Sequence, residues 1–230
     1  ISTYGITIKQ FEKKFSSFIN SKYSLALNSG TSALHVALKV VGVKSGSEVL
    51  VSTLTFAATV NAIVYNGARP VFIDCNENFG IDINKTLEFL KNENYFKNKK
   101  CFNKKTKNHI AALLVVDVWG QAVDTSKIRE ICNHKNIKII KDAAESVGSY
   151  IQSKKKDKPT YSSDIACFSF NGNKIITTGS GGMLSTNNKK YYEKSIYYAS
   201  QAKDNKIKFI HNDVGYNYGM SSIQASIGIS

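Results

Sequence analysis

Seven short, mostly apolar runs are spaced along the chain, at residues 23–27, 48–51, 70–73, 109–116, 137–142, 165–170 and 182–186. Runs this short that do not alternate strictly between polar and apolar positions are what strands covered on both faces look like. Most of the intervals between them are long enough for a helix, and a helix crossing between neighbouring strands leaves the two strands parallel. The order of elements therefore predicts an α/β fold, a three-layer αβα sandwich around a mostly parallel, mixed sheet.

Helices are predicted over about 31–41 with Gly42 as the stop, from Thr53-Leu54-Thr55-Phe56 to about Tyr65 with Asn66-Gly67 as the stop, and over about 124–132, 189–200 and 221–229. Ahead of the first strand, Ile8, Phe11, Phe15 and Phe18 recur at helical spacing. They predict a helix that packs on the domain, opened by Thr7 and Gln10 as a capping box. Residues 91–108 are polar and lysine-rich and read as a surface insertion.

With 230 residues, 42% of them hydrophobic and 21% charged, the chain can bury one sizeable core, and one domain over residues 1–230 is the expectation. No apolar run approaches bilayer length and the opening ISTYGITIKQ lacks a signal-peptide pattern, so a cytoplasmic protein without a membrane partner is expected. Cys75, Cys101, Cys132 and Cys167 are scattered, as are the four histidines, which predicts reduced structural thiols and no metal site. Thirty-one Lys and Arg against 17 Asp and Glu give +14, which raises a basic nucleic-acid binder as a rival reading. Much of that excess lies in residues 97–107 and 154–158, which read as solvated loops without interleaved aromatics, so no nucleic-acid partner is expected.

Three stretches carry chemistry. In residues 165–183, IACFSFNGNKIITTGSGGM, the only charged residue is Lys174, on a loop between an apolar run and a glycine cluster. A lysine in that setting either snorkels to water or is held for chemistry, typically a Schiff base. In residues 137–148, IKIIKDAAESVG, Asp142 closes a strand, where carboxylates of α/β proteins face the ligand crevice. Such an aspartate suits pairing with the protonated ring nitrogen of pyridoxal phosphate, or it caps a helix over Ala143-Ala144-Glu145. In Asn28-Ser29-Gly30-Thr31-Ser32 a strand runs into a helix, and small residues there leave backbone N–H groups free for a phosphate, or act as ordinary caps. Asp117-Val118-Trp119-Gly120-Gln121, at another strand end, reads as crevice wall, while Phe56 alone reads as core packing.

The segments NSGTSALHVAL, GSEVLVSTLTFAATVNAIVYNGARPVFID, DVWGQAVD, IKDAAESVGS, FSFNGNKIITTGSGG and VGYNYGMSSIQASIG together resemble the DegT/DnrJ/EryC1/StrS sugar aminotransferases over about residues 11–228. The DAAES form looks most like the enzymes of bacterial nonulosonic acid pathways, such as legionaminic acid synthesis. The resemblance implies the large domain of a fold-type I pyridoxal phosphate transferase over residues 1–230. Within it lie an N-terminal helix at about 7–19, a cofactor-binding core at about 23–186, and an interface motif with a last helix at about 212–230. It also implies that the family's smaller C-terminal domain and its usual N-terminal segment are absent.

By the same resemblance, pyridoxal 5′-phosphate forms a Schiff base on Lys174, Phe56 stacks on its ring, Asp142 pairs with the ring nitrogen and Glu145 approaches the phenolic oxygen. Gly30, Thr31, Ser32 and Ser169 hold its phosphate together with Asn217 of the partner subunit in a homodimer with shared active sites. Gly219 stands where relatives carry a basic residue. The implied reaction moves an amino group, with glutamate the expected donor, onto a nucleotide-linked 4-keto-sugar; a lysine rather than a histidine at position 174 favours transamination over dehydration. The alternative is a non-catalytic or truncated relative that binds the cofactor as a regulatory or dimerisation module.

Overall fold

The computed structural model of the chain describes residues 5–151, 158–159, 163–205 and 207–230. Most of the basic run at 154–158 lies outside the described residues. The first half of the chain runs α1 (Ile6–Phe18), β1 (Tyr23–Leu27), α2 (Gly30–Val40), β2 (Glu48–Ser52), α3 (Ala57–Tyr65), β3 (Arg69–Ile73), α4 (Ile83–Asn92), β4 (Asn94–Lys97) and β5 (Lys100–Asn103). The second half runs β6 (His109–Val116), α5 (Ser126–His134), β7 (Lys138–Asp142), β8 (Tyr150–Ile151), β9 (Lys158–Pro159), β10 (Ile165–Ser169), β11 (Gly182–Thr186), α6 (Lys189–Ala199) and α7 (Ser222–Ile229).

The main sheet has the order β1-β11-β10-β7-β6-β2-β3, with a β4–β5 hairpin joined to β6. Strands β10, β7, β6, β2 and β3 are mutually parallel, and β11 runs antiparallel to both β10 and β1. Successive side chains of each strand face opposite layers. Val49 and Val51 of β2 and Ala112 and Leu114 of β6 pack beneath α2 and α3. Leu50, Leu113 and Val115 pack against Leu90 of α4 and Ile128 and Cys132 of α5. Each such fully buried aliphatic side chain contributes about 1.5–3 kcal/mol, so both layers are held by burial and the predicted αβα sandwich is the fold.

Three local expectations are corrected. Thr7 and Gln10 lie inside α1, whose N-cap is Gly5 without a side-chain cap bond, so they form no capping box. Phe18 is exposed, and Ile19 takes its place in the core beside Phe11 and Phe15. The 91–108 stretch is no plain insertion. Its backbone extends the sheet as the hairpin, Tyr95 stacks on Phe102 among the lysines, and the buried Glu48 carboxylate accepts from Asn103, Thr106 and Asn108 at 2.9, 2.6 and 3.2 Å. A buried carboxylate needs such donors, which fixes the hairpin to β2.

Glu12 of α1 accepts the amide of Ala26 on the edge strand β1 at 2.9 Å. Burial pushes its carboxyl from an ordinary 4.5 up to about 7, although the Ala26 amide and Lys9 pull it down. A raised carboxyl binds its proton more tightly in the folded chain, so its contribution is fully present below pH 4.5 and is lost as pH rises to about 7. Glu12→Gln keeps the acceptor without the charge. We expect it to stabilise the chain by about 1–2 kcal/mol at pH 8 and by nothing at pH 4.5. Thermal unfolding of both proteins at the two pH values checks this, and equal gains at both would refute it.

Candidate active site

The loops that follow β2, β6, β7 and β10, with the start of α2, surround a cavity of about 450 Å³. In parallel sheets this carboxyl-end side is where side chains of successive strands can converge without breaking the ladder. Asp142, the last residue of β7, is at its floor and 5% exposed. One carboxylate oxygen accepts the Thr59 hydroxyl at 2.7 Å and the other the Ala144 amide at 3.2 Å. Residues 143–149 form turns rather than a helix, so the capping alternative for Asp142 reduces to that single Ala144 bond. Burial pushes the carboxyl up, against the pull of the Thr59 and Ala144 hydrogen bonds. Among the described residues no cation forms an ion pair with it, an unusual position for a buried carboxylate.

Across the cavity stands Lys174, on the loop after β10, its side chain 15% exposed. The loop is closed at its base by backbone bonds from Thr178 to Phe170 and from Phe170 to Gly181, at 3.0 and 2.9 Å. Lys174 Nζ lies 3.0 Å from Glu145 Oε1 and 5.9 Å from the centre of the Phe56 ring. The other Glu145 oxygen accepts the Trp119 amide at 2.8 Å. Burial alone would raise the Glu145 carboxyl, but the Trp119 amide and the Lys174 ammonium outweigh it and hold the group below its ordinary value. Phe56, for which the sequence offered core packing or, by resemblance, ring stacking, is 73% exposed, at the N-cap of α3 on the cavity wall.

At the start of α2, the Ser29 hydroxyl caps the helix by accepting the Ser32 amide at 3.1 Å. The amides of Gly30 and Thr31 come earlier in the helix and have no acceptor within it. A Cβ on Gly30 would lie 2.9 Å from Ser169 Cβ, and one on Gly182 would lie 2.3 Å from the Ser29 carbonyl carbon. Only bare backbone fits there, which leaves an amide-lined cradle beside the Ser169 hydroxyl. Ser32 does not reach the cavity; its hydroxyl donates to Asn28 Oδ1 at 2.6 Å and tightens the turn.

The structure thus brings Gly30, Thr31, Phe56, Asp142, Glu145, Ser169 and Lys174 to one cavity and leaves Ser32 behind the wall. Asn217 lies elsewhere, in a smaller hollow of about 190 Å³ with Glu12 and Gln201. Two contributors were not legible in advance. Thr59 sits on a helix with nothing in its local pattern to mark it. The buried pair of Lys141 and Asp117, 3.1 Å apart and without exposed side-chain surface, had one signal, a lysine in the middle of an apolar strand. Among the described residues no group of three His, Cys, Asp or Glu is placed to hold a metal, and no helix is long and apolar enough to cross a membrane.

Comparison with known proteins now decides the family, because the family model for the DegT/DnrJ/EryC1/StrS aminotransferases matches residues 1–230. The chain belongs to that family. It is 37% identical over 230 residues to GDP-perosamine synthase of Escherichia coli O157:H7, which covers all of this chain and 58% of that protein. It is 34% identical over 234 residues to UDP-4-amino-4,6-dideoxy-N-acetyl-beta-L-altrosamine transaminase of Campylobacter jejuni, covering all of this chain and 57% of the other. Among solved structures, NtdA from Bacillus subtilis with bound cofactor PMP superposes with a TM-score of 0.80 at 29% identity, over 98% of this chain and 47% of that one. The chain therefore spans a little over half the length of the curated relatives it matches.

Proposed function

We propose that this chain is the cofactor-binding large domain of an aminotransferase that moves an amino group from glutamate onto a UDP- or GDP-linked 4-keto-6-deoxy sugar, in bacterial surface glycan or nonulosonic acid biosynthesis. One observation carries the reading: Asp142, a buried carboxylate without an ion-pair partner among the described residues, faces a half-buried amine, Lys174, across one cavity. A cationic ring nitrogen is the partner that Asp142 lacks, and a carbonyl is the partner that an amine takes covalently. Pyridoxal phosphate supplies both, with a conjugated ring that accepts electrons from the donor carbon.

The remaining residues fit that group. The Gly30 and Thr31 amides and the Ser169 hydroxyl form an anion cradle at a helix N-terminus, and Ser32 holds the turn that shapes it. Phe56 offers a free ring face, and Glu145 is placed to hydrogen-bond a phenolic oxygen. Lys174 would be the base and acid that moves the proton from the donor carbon. Asn217 lies outside the cavity of its own chain, which supports a homodimer in which the partner subunit's Asn217 completes the phosphate site.

The test is an absorbance spectrum of the purified protein with pyridoxal phosphate, before and after borohydride, followed by mass mapping. A visible band that borohydride removes, with the adduct on Lys174, is the expected result. No band, or an adduct on a different lysine, would defeat the proposal and favour a chain that keeps the family fold without its chemistry.

A further inference from the structure

Trp119 is 67% exposed, yet its backbone is held in a conformation that bulky residues seldom adopt. It has φ 51° and ψ 29°, which is the left-handed region. The surroundings enforce it. Its amide is held by Glu145, the carbonyl of Gly120 accepts the Ser149 hydroxyl at 3.0 Å, and a Cβ on Gly120 would lie 3.0 Å from the Glu145 carbonyl oxygen. Before and after it the loop is anchored to the buried ion pair, since Asp117 Oδ1 accepts the Val123 amide at 3.0 Å and Lys141 donates to the Val123 carbonyl at 2.8 Å.

A neighbouring loop repeats the device. Phe79 is also left-handed, at φ 63°, and its ring meets the indole edge-on with centroids 4.9 Å apart. Two strained loops therefore hold an aromatic pair outward at the cavity rim. Backbone strain of this kind persists where the surroundings over-determine it and clusters at ligand clamps, and a rigid aromatic gives contact area at low entropic cost.

The position selects the ligand. The Trp119 amide and the Lys174 amine share the two oxygens of one carboxylate, at 2.8 and 3.0 Å. The indole thus begins one carboxylate away from the reacting amine. On the proposed function, the group that lies there is the keto-sugar ring, because the nucleobase is removed from the reacting carbon by the rest of that ring and a diphosphate. We propose that Trp119, buttressed by Phe79, is the platform on which the pyranose ring of the sugar nucleotide packs. The negative face of the indole attracts the positively polarised C–H groups of one sugar face, so the pair selects sugars by which face is free of hydroxyls. This rests on the aminotransferase reading.

Trp119 is the one tryptophan in the chain, so fluorescence excited beyond the tyrosine absorption band reports it alone. The cofactor-loaded protein would be titrated with GDP and UDP, and with GDP- and UDP-linked 4-amino-4,6-dideoxy sugars. A saturable change with at least one sugar nucleotide, absent with its nucleoside diphosphate, is expected. An equal change with the diphosphate would place the base on the indole and overturn the proposal, as would no change with any sugar nucleotide. By calorimetry, Trp119→Ala should weaken sugar-nucleotide binding about tenfold and Trp119→Phe should restore most of it; unchanged binding in Trp119→Ala would overturn it too, and if that variant fails to fold the wild-type titration decides. A wild-type chain that develops no cofactor band refutes the aminotransferase reading and this inference with it, whereas a band without a fluorescence response refutes this inference alone.

Discussion

Lys174→Ala should leave a protein that folds, binds pyridoxal phosphate without a covalent link and turns over at no more than about one part in 10²–10⁴ of the wild-type rate. The separation of fold from activity follows from the geometry. The ion pair that the substitution removes joins side chains 15% and 37% exposed, and such partly solvated pairs contribute roughly 0–1 kcal/mol. Glu145 keeps its bond from the Trp119 amide, and its carboxyl rises towards its ordinary value as the ammonium is lost. Melting should therefore move by only a few degrees. Lys174→Arg makes a second control: it returns a cation to Glu145 but not an amine that can add to a carbonyl, so stability should recover and activity should not. A Lys174→Ala protein that keeps both the borohydride-sensitive band and turnover would remove Lys174 from the chemistry.

What could be read from the sequence was what is encoded in contiguous residues. Strands β2, β6, β7, β10 and β11 announced themselves because they are buried on both faces and need no alternation, and the same burial made a lone lysine or a strand-end aspartate stand out. The Gly30 turn was legible because a helix start is a local event. The features that escaped are settled by tertiary context. Thr7 and Gln10 have the spacing of a capping box, but α1 begins at Ile6 and leaves Thr7 inside the helix. Helix α4 lies in a polar stretch, where Asp82 caps it through the amides of Asn84 and Lys85 and only Leu90 and Thr86 are fully buried, so its apolar pattern is thin. The lysine-rich hairpin reads as solvated because the partner that orders it, Glu48, is some 50–60 residues away in sequence. Ser32 and Ser29 look alike in sequence, and only the helix geometry turns one hydroxyl inward.

The largest stability effect should come from the buried pair of Lys141 and Asp117. Lys141 lies on β7 with its side chain in the layer shared with Ile139, and like Asp117 it has no exposed side-chain surface. Burial pushes the Asp117 carboxyl up and the Lys141 amine down, while each opposes the other's shift. Lys141→Met would strand a buried carboxylate, at about 3–5 kcal/mol. In a chain of this size that lowers the melting temperature by about 10 °C or more. Asp117→Asn combined with Lys141→Met removes both charges, keeps one oxygen acceptor for the Val123 amide and places an NH2 that can donate to the Ser146 hydroxyl oxygen. The double variant should recover at least half the loss, because an uncharged site of similar volume avoids the desolvation that makes a lone charge so costly. A double-mutant cycle followed by thermal unfolding measures the coupling, and strictly additive effects would show that the two side chains do not act as a pair. The same variants bear on the cavity, since Asp117 and Lys141 both grip Val123 at the far end of the Trp119 loop. If the pair is what keeps that loop rigid, Lys141→Met should also weaken sugar-nucleotide binding at temperatures where the protein is fully folded.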